Sequence, residues 1–118
     1  MYREVKIGAK TVPLQANGAT PLWFKQLFHK DIIALMNSAG DDIEKVTDLA
    51  PELAYVMAKQ AEKADMTKAS KEDFMTWLED FEALDIIVSA NEIIETYIAN
   101  QIPSVEGKKK ESGSPKGK

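Results

Sequence analysis

Two short apolar-rich runs open the chain, Val5-Lys6-Ile7 and Thr11-Val12-Pro13-Leu14, on either side of Gly8-Ala9-Lys10. Gly8 supplies the positive φ of a tight turn, and Pro13 would cost a ladder bond in a central strand. A β-hairpin over about residues 4–15 is therefore predicted, with its second strand at an edge. From Thr20 the spacing becomes helical. Thr20-Pro21 reads as N-cap and first helical position, followed by Leu22, Trp23, Phe24, Leu27 and Phe28. Asp31 is placed to cap a second segment through Ile32, Ile33, Leu35 and Met36, which Asn37-Ser38-Ala39-Gly40 ends. The polar stretch Asp41 to Asp48 carries Ile43 and Val46 at i, i+3 and predicts a short helical turn or loop.

Pro51 can start a helix but not sit inside one. The helix it opens is expected to run to about Ala64, with Leu53, Val56, Met57, Gln60 and Ala64 on one face and Tyr55 and Ala58 beside it. After a polar connector, Ser70 to Asp73 fits a capping box, and Phe74, Trp77, Leu78 and Phe81 recur at i, i+3, i+4, i+7. The last predicted helix, Ala83 to Ile102, is the longest. At about 100° per residue, Ile86, Ile87, Val88, Ala90, Ile93, Ile94, Tyr97, Ile98 and Ile102 cover more than half its circumference. Asp85, Ser89, Glu92, Thr96 and Asn100 share the narrower polar side. A helix so widely apolar must be covered on two sides, either as the centre of the bundle or by a partner.

These elements predict a mainly α fold: a small bundle of about four to five helices behind a short β-hairpin, as one domain over residues 1–102. Pro103 stops the last helix. Residues 103–118, rich in Lys, Gly and Ser with Val105 as their one large apolar side chain, are expected to form a disordered tail. With 118 residues the chain is long enough to bury a core without disulfides or metal. There is no cysteine and one histidine, His29, which removes thiolate nucleophiles and Cys-ligated metals. No apolar run approaches the roughly 18 residues of a membrane span, and the opening residues lack the apolar core of a signal peptide. A reducing cytoplasm is the expected compartment.

Net charge is −4, yet it is unevenly spread: residues 1–40 carry +3, residues 41–102 carry −10 and residues 103–118 carry +3. Between Glu72 and Gly107 there is no basic residue. That run is either a solvated acidic face or a surface that meets a basic partner, and complementary fields select partners. Glu79, Asp80, Glu82 and Asp85, with Ile87, Ile94, Tyr97 and Ile98 of the wide stripe, are the candidate protein-binding residues. An acidic substitution at Ile94 is then expected to abolish assembly and leave a folded monomer.

Signs of chemistry are sparse. His29 sits among Trp23, Phe24 and Phe28, and reads as a packing or surface histidine. The pairs Asp41-Asp42 and Glu79-Asp80 would suit acid–base work in a small hydrolase, but neighbouring side chains on a helix point apart. No phosphate loop or dinucleotide fingerprint appears. No catalytic, cofactor or metal site is expected. Lys108-Lys109-Lys110 supplies the competing reading, a small nucleic-acid-binding regulator docking through its tail, although these lysines lack interleaved aromatics and hang on an acidic domain.

The order of parts resembles one family. Val5-Lys6-Ile7-Gly8-Ala9-Lys10, then Pro13-Leu14-Gln15-Ala16, then Ala19-Thr20-Pro21-Leu22-Trp23-Phe24-Lys25-Gln26-Leu27-Phe28-His29-Lys30-Asp31-Ile32 is similar to the opening of tail assembly chaperones of long-tailed (siphovirus-type) bacteriophages and prophages. Leu53 to Ala61 and Phe74 to Phe81 look like that family's middle and late helices. The resemblance spans roughly residues 3–100 and departs from the family at His29, where glycine would make the sharp turn between the first two helices. It implies a small, self-associating helical protein that coats the tape measure protein, keeps it soluble and recruits tail-tube subunits. Such a protein works in the cytoplasm of the bacterial host and is absent from the mature virion. In many members a ribosomal frameshift near the end of the gene appends a second domain, and the Lys108–Lys110 run suits an adenine-rich slip site.

Overall fold

A computed structural model describes residues 1–40 and 42–101, apart from the side chains at 43–45, 100 and 101. Asp41, the predicted stop at Ile102-Pro103 and the tail expected over 103–118 lie outside the described residues. Strands β1 (Tyr2–Ile7) and β2 (Lys10–Gln15) pair antiparallel, with Val5 opposite Val12 and Arg3 opposite Leu14. Gly8 stands at φ 66°, as the first central residue of a type II′ turn requires. Period-two alternation puts Val5, Ile7, Val12 and Leu14 on the inner face. Pro13 lies on the exposed face opposite Glu4, in a sheet whose two strands are both edges.

Five α-helices follow among the described residues: α1 (Thr20–Phe28), α2 (Ile32–Ala39), α3 (Ala50–Ala61), α4 (Lys71–Leu78) and α5 (Ala83–Gln101). Short 3₁₀ turns at Ile43–Leu49 and Met66–Lys68 join them. The start of α1 differs from expectation in one detail. Ala19 is the N-cap residue, and Thr20 lies one position inside, where its hydroxyl accepts from the Asn17 N–H (2.9 Å) and donates to Gln60 Oε1 (2.7 Å). The threonine thus ties α1 to α3 instead of capping its own helix. Asp31 caps α2 as expected, accepting from the Ala34 N–H at 3.1 Å. Between these helices the sharp turn forms without glycine, because His29 takes the left-handed conformation at φ 57°. Histidine is among the residue types that enter this region more readily than most.

The centre of the molecule is α3. Residues 53–58 are all buried, so this helix is enclosed around nearly its whole girth by β2, α5, α1, α4 and the 3₁₀ turn at 43–49. It ends at Ala61, earlier than the Ala64 expected, and Lys63 follows at φ 58°. Its alanines explain how several elements approach at once: Ala54 and Ala58 leave room for neighbouring backbones where larger side chains would hold them off. A chain of rings then links α1, α3 and α4. Phe24, Phe28, Phe74, Tyr55, Trp77 and Phe81 follow one another with centroids 4.8–5.8 Å apart in tilted or edge-on contacts. The aromatic residues of the predicted stripe are therefore packing, although α4 ends at Leu78 and Phe81 reaches Trp77 from the bend beyond it, not from a further helical turn.

Candidate interaction surface

Helix α5 rests on the hairpin and on α3 through Ile86, Ala90, Ile93, Ile94 and Tyr97, all buried. Its serine and threonine are also inside. Ser89 Oγ donates to the Lys6 carbonyl at 2.9 Å, and Thr96 Oγ1 donates to the Glu92 carbonyl of its own helix at 2.9 Å. Each hydroxyl is satisfied by a backbone oxygen, which lets the polar edge of the wheel turn inward at little cost. The polar side expected for α5 is corrected accordingly: Ser89 and Thr96 belong to the core, and Asp85 is half-buried. What turns outward instead is apolar. Leu84, Ile87 and Val88 are 68, 69 and 75% exposed, and their i, i+3, i+4 spacing sets them side by side on one face.

The candidate binding residues therefore separate. Ile87 is on the open face, and Glu79, Asp80 and Glu82 are exposed at its N-terminal end. Ile98 is half-buried. Ile94 and Tyr97 are 0 and 1% exposed, so they are core residues and offer nothing to a partner in this fold. Asp85 is turned against the hairpin, its carboxylate at Gly8. Leu84 and Val88 were not among the candidates. The signal for them lies in the overlap of two stripes: 86, 90, 93 and 97 form one helical row, while 84, 87, 88 and 91 form another displaced around the axis. Beside the outer row lies a shallow cavity of about 250 Å3 lined by Ile87, Val88, Ala90 and Asn91 of α5 and by Thr47 and Asp48 of the 3₁₀ turn at Ile43–Leu49.

No family model, curated protein or solved structure matches the chain.

The acids around the strip are unpaired with cations among the described residues, where the ion pairs are Lys30–Glu52 (2.9 Å) and Lys59–Asp73 (3.5 Å), on other elements. Glu79 and Asp80 stand at the C-terminal end of α4, whose last turn holds no basic residue. A negative charge there opposes the helix dipole. Elsewhere, the polar groupings are structural. Tyr55 Oη donates to Asp73 Oδ2 at 2.6 Å, and Lys59 reaches the same oxygen, which fastens α4 to α3. Asp73 N–H donates to Ser70 Oγ at 3.0 Å as the capping box requires, but the carboxylate faces α3 instead of returning to Ser70. Tyr97 Oη is buried and has no hydrogen-bond partner among the described residues. Among the described residues no cluster of three metal-ligating side chains occurs and no helix is long and apolar enough to cross a membrane.

Proposed function

We propose that this protein is an interaction module without chemistry of its own, an assembly chaperone for the tails of long-tailed bacteriophages or prophages. Its client is the tape measure protein, a long helical chain that the module holds soluble while tail-tube subunits are brought to it. The observation that carries the reading is the open face of α5, where Leu84, Ile87 and Val88 are more than two-thirds exposed while Ser89 and Thr96 are buried. A helix that buries hydroxyls and exposes leucine, isoleucine and valine side by side is arranged for a second surface, in the manner of helix-in-groove recognition. The acidic character of residues 41–102 keeps such a molecule soluble while the strip is uncovered. Copies of the chain gathered along one client, in the host cytoplasm, would leave before the particle is complete.

Co-expression tests this directly. A tape measure protein encoded beside this chain is expected to be insoluble alone, soluble when co-expressed with it, and to co-purify with it. A client that stays insoluble and forms no complex overturns the proposal.

A further inference from the structure

We infer that the outer face of α5 takes an amphipathic helix that carries lysine or arginine at both ends of a short apolar stretch, and that charge, more than apolar contact, selects it. The inference rests on the reading of this face as the client surface and adds what the client must look like. Three observations on α5 and its approaches lead to it.

The apolar strip is short. Leu84, Ile87 and Val88 occupy little more than one turn, and the same face continues as Asn91 and Glu95, with Glu92 beside them. At the other end stand Glu79, Asp80 and Glu82, all exposed. Acids therefore bracket the strip along the helix axis, with Glu82 and Glu95 about 20 Å apart at 1.5 Å per residue. Asp48 adds a further acid at the rim of the cavity beside Ile87 and Val88.

Among the described residues these acids form no ion pair, and the helix dipole accounts for one of them. Glu82 precedes the first turn of α5, where the helix dipole favours negative charge. That reason does not extend to Glu92 and Glu95, well past the first turn, and it is reversed for Glu79 and Asp80 at the negative end of α4. Residues 72–101 contain no lysine or arginine, and none of these acids forms an ion pair among the described residues. Like charges held together without counter-charges cost stability in the free protein, and a basic partner relieves that cost on binding. An acidic or neutral apolar helix gains only the few side chains of the strip and meets repulsion at its rims.

The test uses the full chain and two synthetic amphipathic peptides of about 14 residues, long enough to span the bracket. Both have the same leucine face; one carries lysines at its ends and the other glutamates. In titrations at low salt the lysine peptide is expected to bind at least about tenfold more tightly than the glutamate peptide, and the gap is expected to close as salt shortens the Debye length. Ile87→Asn/Val88→Asn, which removes the apolar contact and leaves the charge unchanged, should lose the lysine peptide. Glu79→Lys/Glu92→Lys/Glu95→Lys, at exposed positions, should bind the glutamate peptide better than the lysine peptide. Equal binding of the two peptides, or an unchanged preference in the charge-reversed variant, overturns the inference. Failure here is separable from failure of the chaperone proposal. A tape measure protein rescued equally by the wild type and by the charge-reversed variant leaves the chaperone role standing and removes charge selection. Charge-selective peptide binding without any rescue does the opposite.

Discussion

Tyr55 and Asp73 show how one side-chain pair sets a property of the whole fold. The Tyr55 phenol is held protonated well above its ordinary range, first by burial and then by its hydrogen bond to Asp73. The same bond, with the nearby Lys59 ammonium, holds the Asp73 carboxyl below its usual value, against the opposing effect of burial. A carboxyl whose pKa is lower in the folded state stabilises that state above its unfolded value of about 4. The contribution is lost as pH falls through the lower folded value. Asp73→Asn should therefore lower stability near pH 7 by about 1 kcal/mol, the modest end for a charged hydrogen bond whose acceptor is partly exposed. Thermal melts of the two proteins should converge as the pH is brought below the Asp73 pKa; a gap that persists in strong acid would assign the effect to packing. In the sequence, Asp73 was legible as the fourth residue of a capping box. Its tie to Tyr55 was not, because the two are 18 residues apart and meet only when α4 docks on α3.

At the level of elements, turn and cap chemistry was readable because it is local. The hairpin, the capping of α2 by Asp31 and the start of the α4 row at Phe74, Trp77 and Leu78 stand where spacing and residue type place them, while α4 ends at Leu78 and Phe81 joins the rings from the bend beyond it. What spacing could not decide was rotation. A helix apolar over more than half its girth has several nearly equivalent ways to face a core, and α5 took one in which Ser89 reaches the Lys6 carbonyl across a sequence separation of 83 residues. Nor could it decide which helix is central, since the enclosure of α3 depends on small residues letting several neighbours approach together. The seam between α5 and the hairpin is tight at Gly8. A Cβ there would run into the carboxylate of Asp85, with Cγ at 2.8 Å, and the backbone is at positive φ. Gly8→Ala should cost about 1–2 kcal/mol for the left-handed backbone alone, and more where Asp85 must move. In an Asp85→Ala background the second part should vanish, so a double-mutant cycle is expected to show coupling. Strict additivity of the two changes would mean that α5 does not press on the turn.

For the molecule as a whole, the decisive contrast lies between two isoleucines seven residues apart on α5. Ile94 is fully buried, and Ile87 is 69% exposed. The expectation that an acidic residue at Ile94 would spare the monomer fails on this geometry, since a carboxylate there has neither water nor a cation to meet it. Burying it unpaired costs several kcal/mol or forces its protonation, a large share of the about 5–15 kcal/mol by which a domain of this kind is stable. Ile94→Glu should therefore lose the cooperative melt at neutral pH. Ile87→Glu and Val88→Glu should keep wild-type secondary structure and melt within a few degrees of it, because their side chains leave water for water in either state. Circular dichroism on the three variants reads which stretch of α5 is covered. A folded Ile94→Glu beside an unfolded Ile87→Glu would mean that the other stretch of α5 is the covered one, since residues seven apart share one side of a helix, and the strip on which client binding depends would be its core. The predicted order instead leaves Ile87 and Val88 free to be changed without loss of the fold, so that any loss of binding in those variants belongs to the surface itself.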